Sequence, residues 1–216
     1  MANGKKILLV EGTDDEHVLK HICGNRDIPH LDEVENCCNV EKLIENLGVR
    51  LPLLIQEDDA IGVVIDADTD ISARWQSIRD RITDIGYQNV PDQPDPDGTI
   101  LDPPSETYLP RLGVWIMPNN QTNGILEDFL HFLVPQPNIL FDHARNSVAA
   151  IPEGERRFKQ LYEPKAVIHT WLAWQEYPGR PFGTAITANF LDPNVREVDV
   201  LAAWLKRLFF PRSQSS

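Results

Sequence analysis

Residues 61–70, IGVVIDADTD, constrain the fold more than any other stretch: a β-branched apolar run empties into aspartates at alternate positions. Ile61, Val63, Val64 and Ile65 show no polar alternation. The run therefore needs apolar cover on both faces, as a central parallel strand has when helices flank its sheet. Asp66 and Asp68 then fall at the carboxyl end of that strand, the edge where open α/β sheets bind ligands. Like charges this close raise each other's pKa unless a cation joins them. A divalent ion is one resolution, and hard Mg²⁺ favours oxygen donors of this kind. The other is that one aspartate caps the next helix while its neighbours are solvated turn residues.

The chain before this stretch repeats the theme. Residues 5–10 predict a buried strand ended by Glu11 and Gly12. Thr13, with Glu16 three residues on, predicts a capping box opening a helix whose apolar side is Val18, Leu19 and Ile22 and which stops near Gly24. The helix dipole stabilises acids in a first turn without any ligand, which is reason enough for Asp14, Asp15 and Glu16. Glu11 lies outside that turn, beside a glycine where backbone can approach a ligand. A strand over 34–40 and a helix over 41–47 stopped by Gly48 follow. After the aspartates, Ile71, Trp75, Ile78, Ile82 and Ile85 recur at helical spacing, leaving Arg74, Arg79 and Arg81 for a solvated face.

Residues 88–110 are rich in proline and acid, which excludes a regular helix or a central strand. A long insertion inside a compact domain reads as a lid or binding loop. The strand over 113–117, GVWIM, delivers Asn119 and Asn120 to the same sheet edge. A helix with Ile125, Leu126, Phe129, Leu130 and Leu133 inward then carries Glu127 and Asp128; Glu127 is either a further metal ligand or a dipole partner. In the helical last third, Pro164 starts a helix with Lys165 in its first turn, where the macrodipole disfavours a cation. Residues 195–209 predict a terminal helix with Val198, Leu201, Trp204, Leu205 and Leu208 on one side. The expected organisation is an α/β core over 1–135, containing the insertion 88–111, and a helical extension over 136–216 packed on it as one continuous domain.

Lysine and arginine number 20 against 33 aspartates and glutamates, a net charge of −13 in 216 residues. Charge alone cannot hold nucleic acid on such a chain. Polynucleotide contact must be local, metal-assisted, or helped by a protein partner supplying basic surface. Neither a signal-peptide core nor a membrane-length apolar run is present. Cys23, Cys37 and Cys38 cannot make a disulfide framework, which predicts a cytoplasmic protein without membrane contact. Cys37 and Cys38 with His17 and His21 match no common zinc spacing. P-loop, dinucleotide and G-x-S-x-G motifs are missing.

With Glu11-Gly12 after the first strand, Asp15 one helical turn on, and Asp66-x-Asp68 after the later buried strand, the sequence resembles the Toprim domain. That domain is shared by topoisomerases, bacterial-type primases, recombination mediators and nucleases of the overcoming-lysogenisation-defect type. Through its GVWIMP strand, its GILEDFL helix opening and the segment KAVIHTWLAW, the chain is similar to small standalone prokaryotic Toprim-like proteins. The resemblance implies an α/β fold with a Toprim-like open, mostly parallel sheet flanked by helices and a mainly helical C-terminal extension. It implies Glu11 as a metal-binding or proton-shuttling glutamate, Asp66 and Asp68 as paired metal ligands, and Asp15 as the acid of the nuclease branch. Glu127 corresponds to the acid of a second metal site and Lys165 to a lysine aimed at the transition state. The implied cofactor is Mg²⁺ or Mn²⁺, and the implied reaction is phosphodiester hydrolysis on nucleic acid or another phosphoester, by a homo-oligomer or with a partner. Two alternatives stay open. One is a non-catalytic Toprim module in a nucleic-acid-processing or defence complex. The other is a phosphatase of the haloacid-dehalogenase type, whose D-x-D-x-T/V signature VVIDADTD superficially resembles, although Asp70 stands at the last position.

Overall fold

The computed structural model describes residues 4–211 apart from 57 and 106, and within them the apolar runs become the strands of one sheet. β1 (Lys6–Val10), β3 (Ala60–Asp66) and β5 (Arg111–Met117) lie side by side in parallel. β2 (Glu33–Asn36) extends the sheet in parallel beyond β1, and β4 (Thr99–Leu101) closes the other edge antiparallel, giving the order β2-β1-β3-β5-β4. The fold is α/β: a mostly parallel five-stranded sheet flanked by helices, with a helical C-terminal region.

Successive side chains of a strand face opposite ways, and here both faces are buried. Ile7, Leu9, Ile61, Val63 and Val114 pack with α2 (Val40–Arg50) and α3 (Ile71–Ile85). Leu8, Val10, Val64, Trp115 and Met117 pack with α1 (Thr13–Asn25) and with α4 (Leu126–Phe132), α5 (Ile139–Ala149), α6 (Glu163–Ala173), α7 (Phe182–Thr187) and α8 (Arg196–Phe209). Cover on both sides is why the strands carry no polar alternation. α8 comes unusually close because Gly62 and Gly113 stand opposite each other in register. A Cβ on Gly113 would lie 2.4 Å from Leu208 Cδ2, and one on Gly62 would lie 3.0 Å from the same atom. Trp204 fills the adjoining space, 5.7 Å from Trp115 between ring centroids, and donates its indole N–H to Thr99 O at 3.2 Å.

Several local expectations are corrected by what lies across in space. Gly12 precedes α1 in place of Thr13, and the Thr13 hydroxyl accepts from Asn36 Nδ2 at 2.7 Å, so no capping box forms. The strand expected over 34–40 shortens to β2, because Asn39 caps α2 by accepting from Lys42 N at 2.9 Å. Gly48 lies inside α2: Arg81 crosses it from α3, with Nη2 2.0 Å from where a Cβ would stand, so the glycine is a gap for a guanidinium. The proline-rich insertion builds β4 and is tied to α3 and α8, with Trp75 Nε1 donating to Pro91 O at 3.1 Å, Arg79 pairing with Asp92 at 2.7 Å and Arg207 Nη2 donating to Asp97 O at 2.5 Å. It is a sheet edge, not a lid over β1 and β3. The turn-rich stretch over 176–194 contains α7. Among the described residues no helix is long and apolar enough to cross a membrane. Cys23, Cys37 and Cys38 are free thiols.

Candidate functional site

β1 and β3 are neighbours with Val10 opposite Val64, so the residues that follow them emerge together at the carboxyl edge of the sheet. Glu11 reaches across, and its Oε2 accepts the Asp66 N–H at 3.3 Å. Asp15, in the first turn of α1, folds back over the same edge because Gly12 has no side chain; a Cβ there would stand 3.1 Å from Asp15 Oδ2. Asp15 is 6% exposed. Asp15 Oδ1 and Asp66 Oδ1 are both enclosed and meet no hydrogen-bond donor among the described residues. Each such oxygen costs roughly 1–3 kcal/mol, more when charged.

The electrostatics follow from that enclosure. Burial first, then the charges of Glu11 and Glu127, raise the Asp15 carboxyl to about 7. Burial likewise lifts Asp66 well above the ordinary carboxylate range, with Asp15, Glu11, Glu127 and Asp68 adding to it. Glu11 is raised by burial, against which the Asp66 amide works. Without a cation, this edge retains protons near neutral pH.

Two cations of the chain meet the acids from opposite sides. Lys165, at the start of α6, places Nζ 2.6 Å from Oε1 of Glu127 and 3.9 Å from Asp14 Oδ2. Glu127 is 3% exposed, and its contact with Lys165 is an ion pair outside hydrogen-bond alignment. Partial burial opposes the charge on Lys165 but is outweighed by Glu127, Asp14 and Asp66, so its pKa rises. These acids account for a lysine in a helix first turn. On the other side Arg74 pairs with the Asp68 carboxylate and donates from Nε to Asp66 O at 2.9 Å. Asp68 is held in the left-handed region at φ 55 by a two-way backbone bridge with Gly124, each N–H to the other's carbonyl at 2.9 Å. Asp70 takes the capping role, accepting from Ala73 N at 2.9 Å.

The sheet edge thus gathers Glu11, Asp15 and Asp66, with Glu127 and Lys165 adjoining as a pair and Asp68 turned to Arg74. Arg74 is the residue of this edge that helical periodicity assigns to solvent along with Arg79 and Arg81. Its place in the first turn after the aspartates is the signal that distinguishes it. Among the described residues, no three Asp, Glu, His or Cys side chains already converge as ion ligands. The acids line one edge without closing on a point.

Beyond Asp68 a groove of about 510 Å³ runs to Gln160 and Glu163, with Asp128, His131 and Arg145 along its walls. His131 Nε2 lies 3.1 Å from Pro164 O, which can only accept, so Nε2 carries the hydrogen. Burial lowers the His131 pKa, and the ring is neutral at pH 7. Asp128 accepts from Ile125 N at 2.9 Å, securing the start of α4. A larger cavity of about 880 Å³ lies by β4 and α8, lined by residues such as Ile100, Arg207 and Phe210 and by none of the clustered acids.

The profile of a family described as Protein of unknown function (DUF3226) matches residues 5–210. The chain belongs to this family. The match takes in the sheet, the carboxylate edge and every helix through α8, so the C-terminal helices are as much a part of the family unit as the strands. Comparison with curated proteins and with solved structures gives no significant match.

Proposed function

We propose that the chain is a Toprim-type phosphodiesterase dependent on Mg²⁺ or Mn²⁺, acting on nucleic acid or a smaller phosphoester. The observation that carries this reading is the pair of enclosed carboxyl oxygens, Asp15 Oδ1 and Asp66 Oδ1, which meet no donor among the described residues at the edge where β1 and β3 end side by side. An all-oxygen, carboxylate-rich donor set suits a hard divalent ion and gives the buried charge a partner. Glu11, Asp15 and Asp66 would hold the ion, their side chains turning toward it from the edge they already share. Glu127 is taken up by Lys165, so a single ion is the simplest stoichiometry. When bound, the ion supplies polarisation of a phosphoryl oxygen and a more acidic water.

The remaining work falls to the chain. In hydrolysis a water oxygen bonds to phosphorus, the ester P–O bond breaks, and the departing alkoxide takes up a proton. Lys165, kept protonated by Glu127 and Asp14, lies beside the acids and can offset charge developing on the phosphoryl oxygens. Glu11, at the same edge beside the Asp66 amide, is also placed to pass the water's proton toward the departing oxygen. Arg74 fixes both the backbone of Asp66 and the carboxylate of Asp68, keeping the β3 end rigid.

A second reading, a non-catalytic Toprim module that serves a partner, is favoured by one observation: among the described residues no three acids yet converge as ligands. The phosphatase alternative is not carried forward, because Asp70 stands where its signature has Thr or Val and the aspartates follow β3 and not the first strand. Calorimetric titration of Mg²⁺ and Mn²⁺ into wild type and Asp66→Asn, with phosphodiester hydrolysis measured on the same samples, decides between the first two. Saturable binding and hydrolysis, both lost in the variant, are the expected result. Binding without hydrolysis of any phosphodiester selects a module that holds its ion structurally, and no binding overturns the phosphodiesterase.

A further inference from the structure

The groove that begins at Asp68 lies next to the proposed centre without being lined by the acids that would hold the ion, and what it can hold follows from its size and from the cations it offers. A duplex is gripped through a row of lysines and arginines that replace its counterions. Here carboxylates already claim several of the arginines. Arg26 pairs with Asp199, Arg50 with Glu33 and Glu35, Arg74 with Asp68, Arg79 with Asp92, Arg111 with Asp102 and Arg156 with Glu163. Among the described residues, the groove's cation is Arg145, and its nearest acid, Asp142, is 3.7 Å away. Arg145 and Asp142 are both more than half exposed, at 57% and 61%, so solvent screens this pair, and the guanidinium rests over the Phe141 ring at 5.2 Å from the centroid.

The rest of the groove is proportioned for one small ligand. About 510 Å³ falls within the range of single-ligand pockets, roughly 300–1,000 Å³. At its far end stand Gln160 and Glu163, which Arg156 bridges, with Nη1 2.9 Å from Gln160 Oε1 and 3.8 Å from Glu163 Oε2. Leu161, Pro164 and Val167 supply an apolar wall, and Asn123 and Thr69 a polar one beside the acids. One apolar wall and one solvent-facing guanidinium describe a base and one extra phosphate.

Resting on the phosphodiesterase reading above, we infer that the substrate is a nucleotide-sized phosphoester, a dinucleotide or the terminal nucleotide of a single strand. It is seated in this groove with its non-reacting phosphate on Arg145. Duplex nucleic acid is not the substrate.

The test uses the full chain with Mn²⁺ and four probes: bis(p-nitrophenyl) phosphate, a 5′-phosphorylated dinucleotide, a single-stranded 20-mer and supercoiled plasmid. Wild type, Arg145→Lys and Arg145→Ala are compared, and calorimetry follows binding of a non-hydrolysable dinucleotide analogue. The expected result is a KM for the dinucleotide raised roughly 10- to 100-fold in Arg145→Ala and less in Arg145→Lys, with the aryl diester changed less than about twofold. Plasmid stays intact. Release of single nucleotides from the 20-mer assigns the ligand to strand ends, and dinucleotide cleavage alone assigns it to a free small molecule. Nicking of plasmid at a rate comparable to the dinucleotide overturns the inference, as does an equal effect of Arg145→Ala on all probes. If nothing is hydrolysed, the phosphodiesterase reading fails; analogue binding that Arg145→Ala weakens then still supports the groove assignment, and no analogue binding overturns that too.

Discussion

Two acidic clusters sit on neighbouring strands of one sheet, and they are built differently. On β2, Glu33 and Glu35 share Arg50, whose Nη2 lies 3.1 Å from one and 2.5 Å from the other, and Asn46 adds a hydrogen bond to Glu35 at 3.1 Å. Those side chains are partly exposed and each has a fixed partner. At the edge where β1 and β3 end, Asp15 and Asp66 are buried deeper and each leaves an oxygen unpartnered among the described residues. A cluster with its own cation needs nothing further. A cluster that encloses charge without one is stable only protonated or with something bound.

The comparison breaks most decisively at Asp66. Asp66→Asn should abolish divalent-ion binding and lower phosphodiester hydrolysis roughly 10³-fold, since ion-borne stabilisation is on the order of several kcal/mol. The same variant should melt higher than wild type at pH 8 without metal, because it removes a charge from a crowded edge. A lower Tm there would mean that Asp66 is structural. Lys165→Ala comes next, with kcat expected to fall roughly 10²-fold and the KM for small esters nearly unchanged; steady-state kinetics against Lys165→Arg would check it.

Proton linkage separates the clusters without mutation. Asp15 titrates at about 7 in the fold against an ordinary 3.8. A raised folded pKa gives stability that is complete below the unfolded value and is lost as pH rises through the folded one. The metal-free chain should therefore lose roughly several degrees of Tm between pH 5 and 8, and saturating Mg²⁺ should flatten that slope. Thermal melts at matched ionic strength with and without Mg²⁺ would show it. The smallest effect belongs to the satisfied cluster. Arg50→Ala should cost no more than about 1 kcal/mol, or roughly 2–4 °C in Tm, and leave hydrolysis unaltered.

Much of the architecture was readable because the strands are apolar on both faces: 61–65 and 113–117 admit little but a sheet covered twice. That Glu11 and Asp66 meet was also readable, since both follow buried strands that prove to be parallel neighbours. What was not readable depends on residues distant in sequence. Gly48 looks like a helix stop until Arg81 is seen crossing it, and Thr13 looks like a cap until Asn36 donates to it. Arg74 reads as solvent-facing by periodicity, yet the left-handed turn at Asp68 swings that carboxylate into its reach. The groove has no motif, because α4, α5 and α6 contribute isolated side chains to it.

The paired glycines on the central strands bear on how the chain is made. Gly62 and Gly113 leave a notch that Leu208 and its neighbours on α8 occupy. A ribosome releases β3 and β5 long before it releases α8. Until residue 208 emerges, the nascent chain carries an open apolar slot across its two most central strands, the kind of surface that chaperones hold and proteases find. α8 then works as a closing wedge, and a chain abandoned before it is complete would be marked for removal by that uncovered slot.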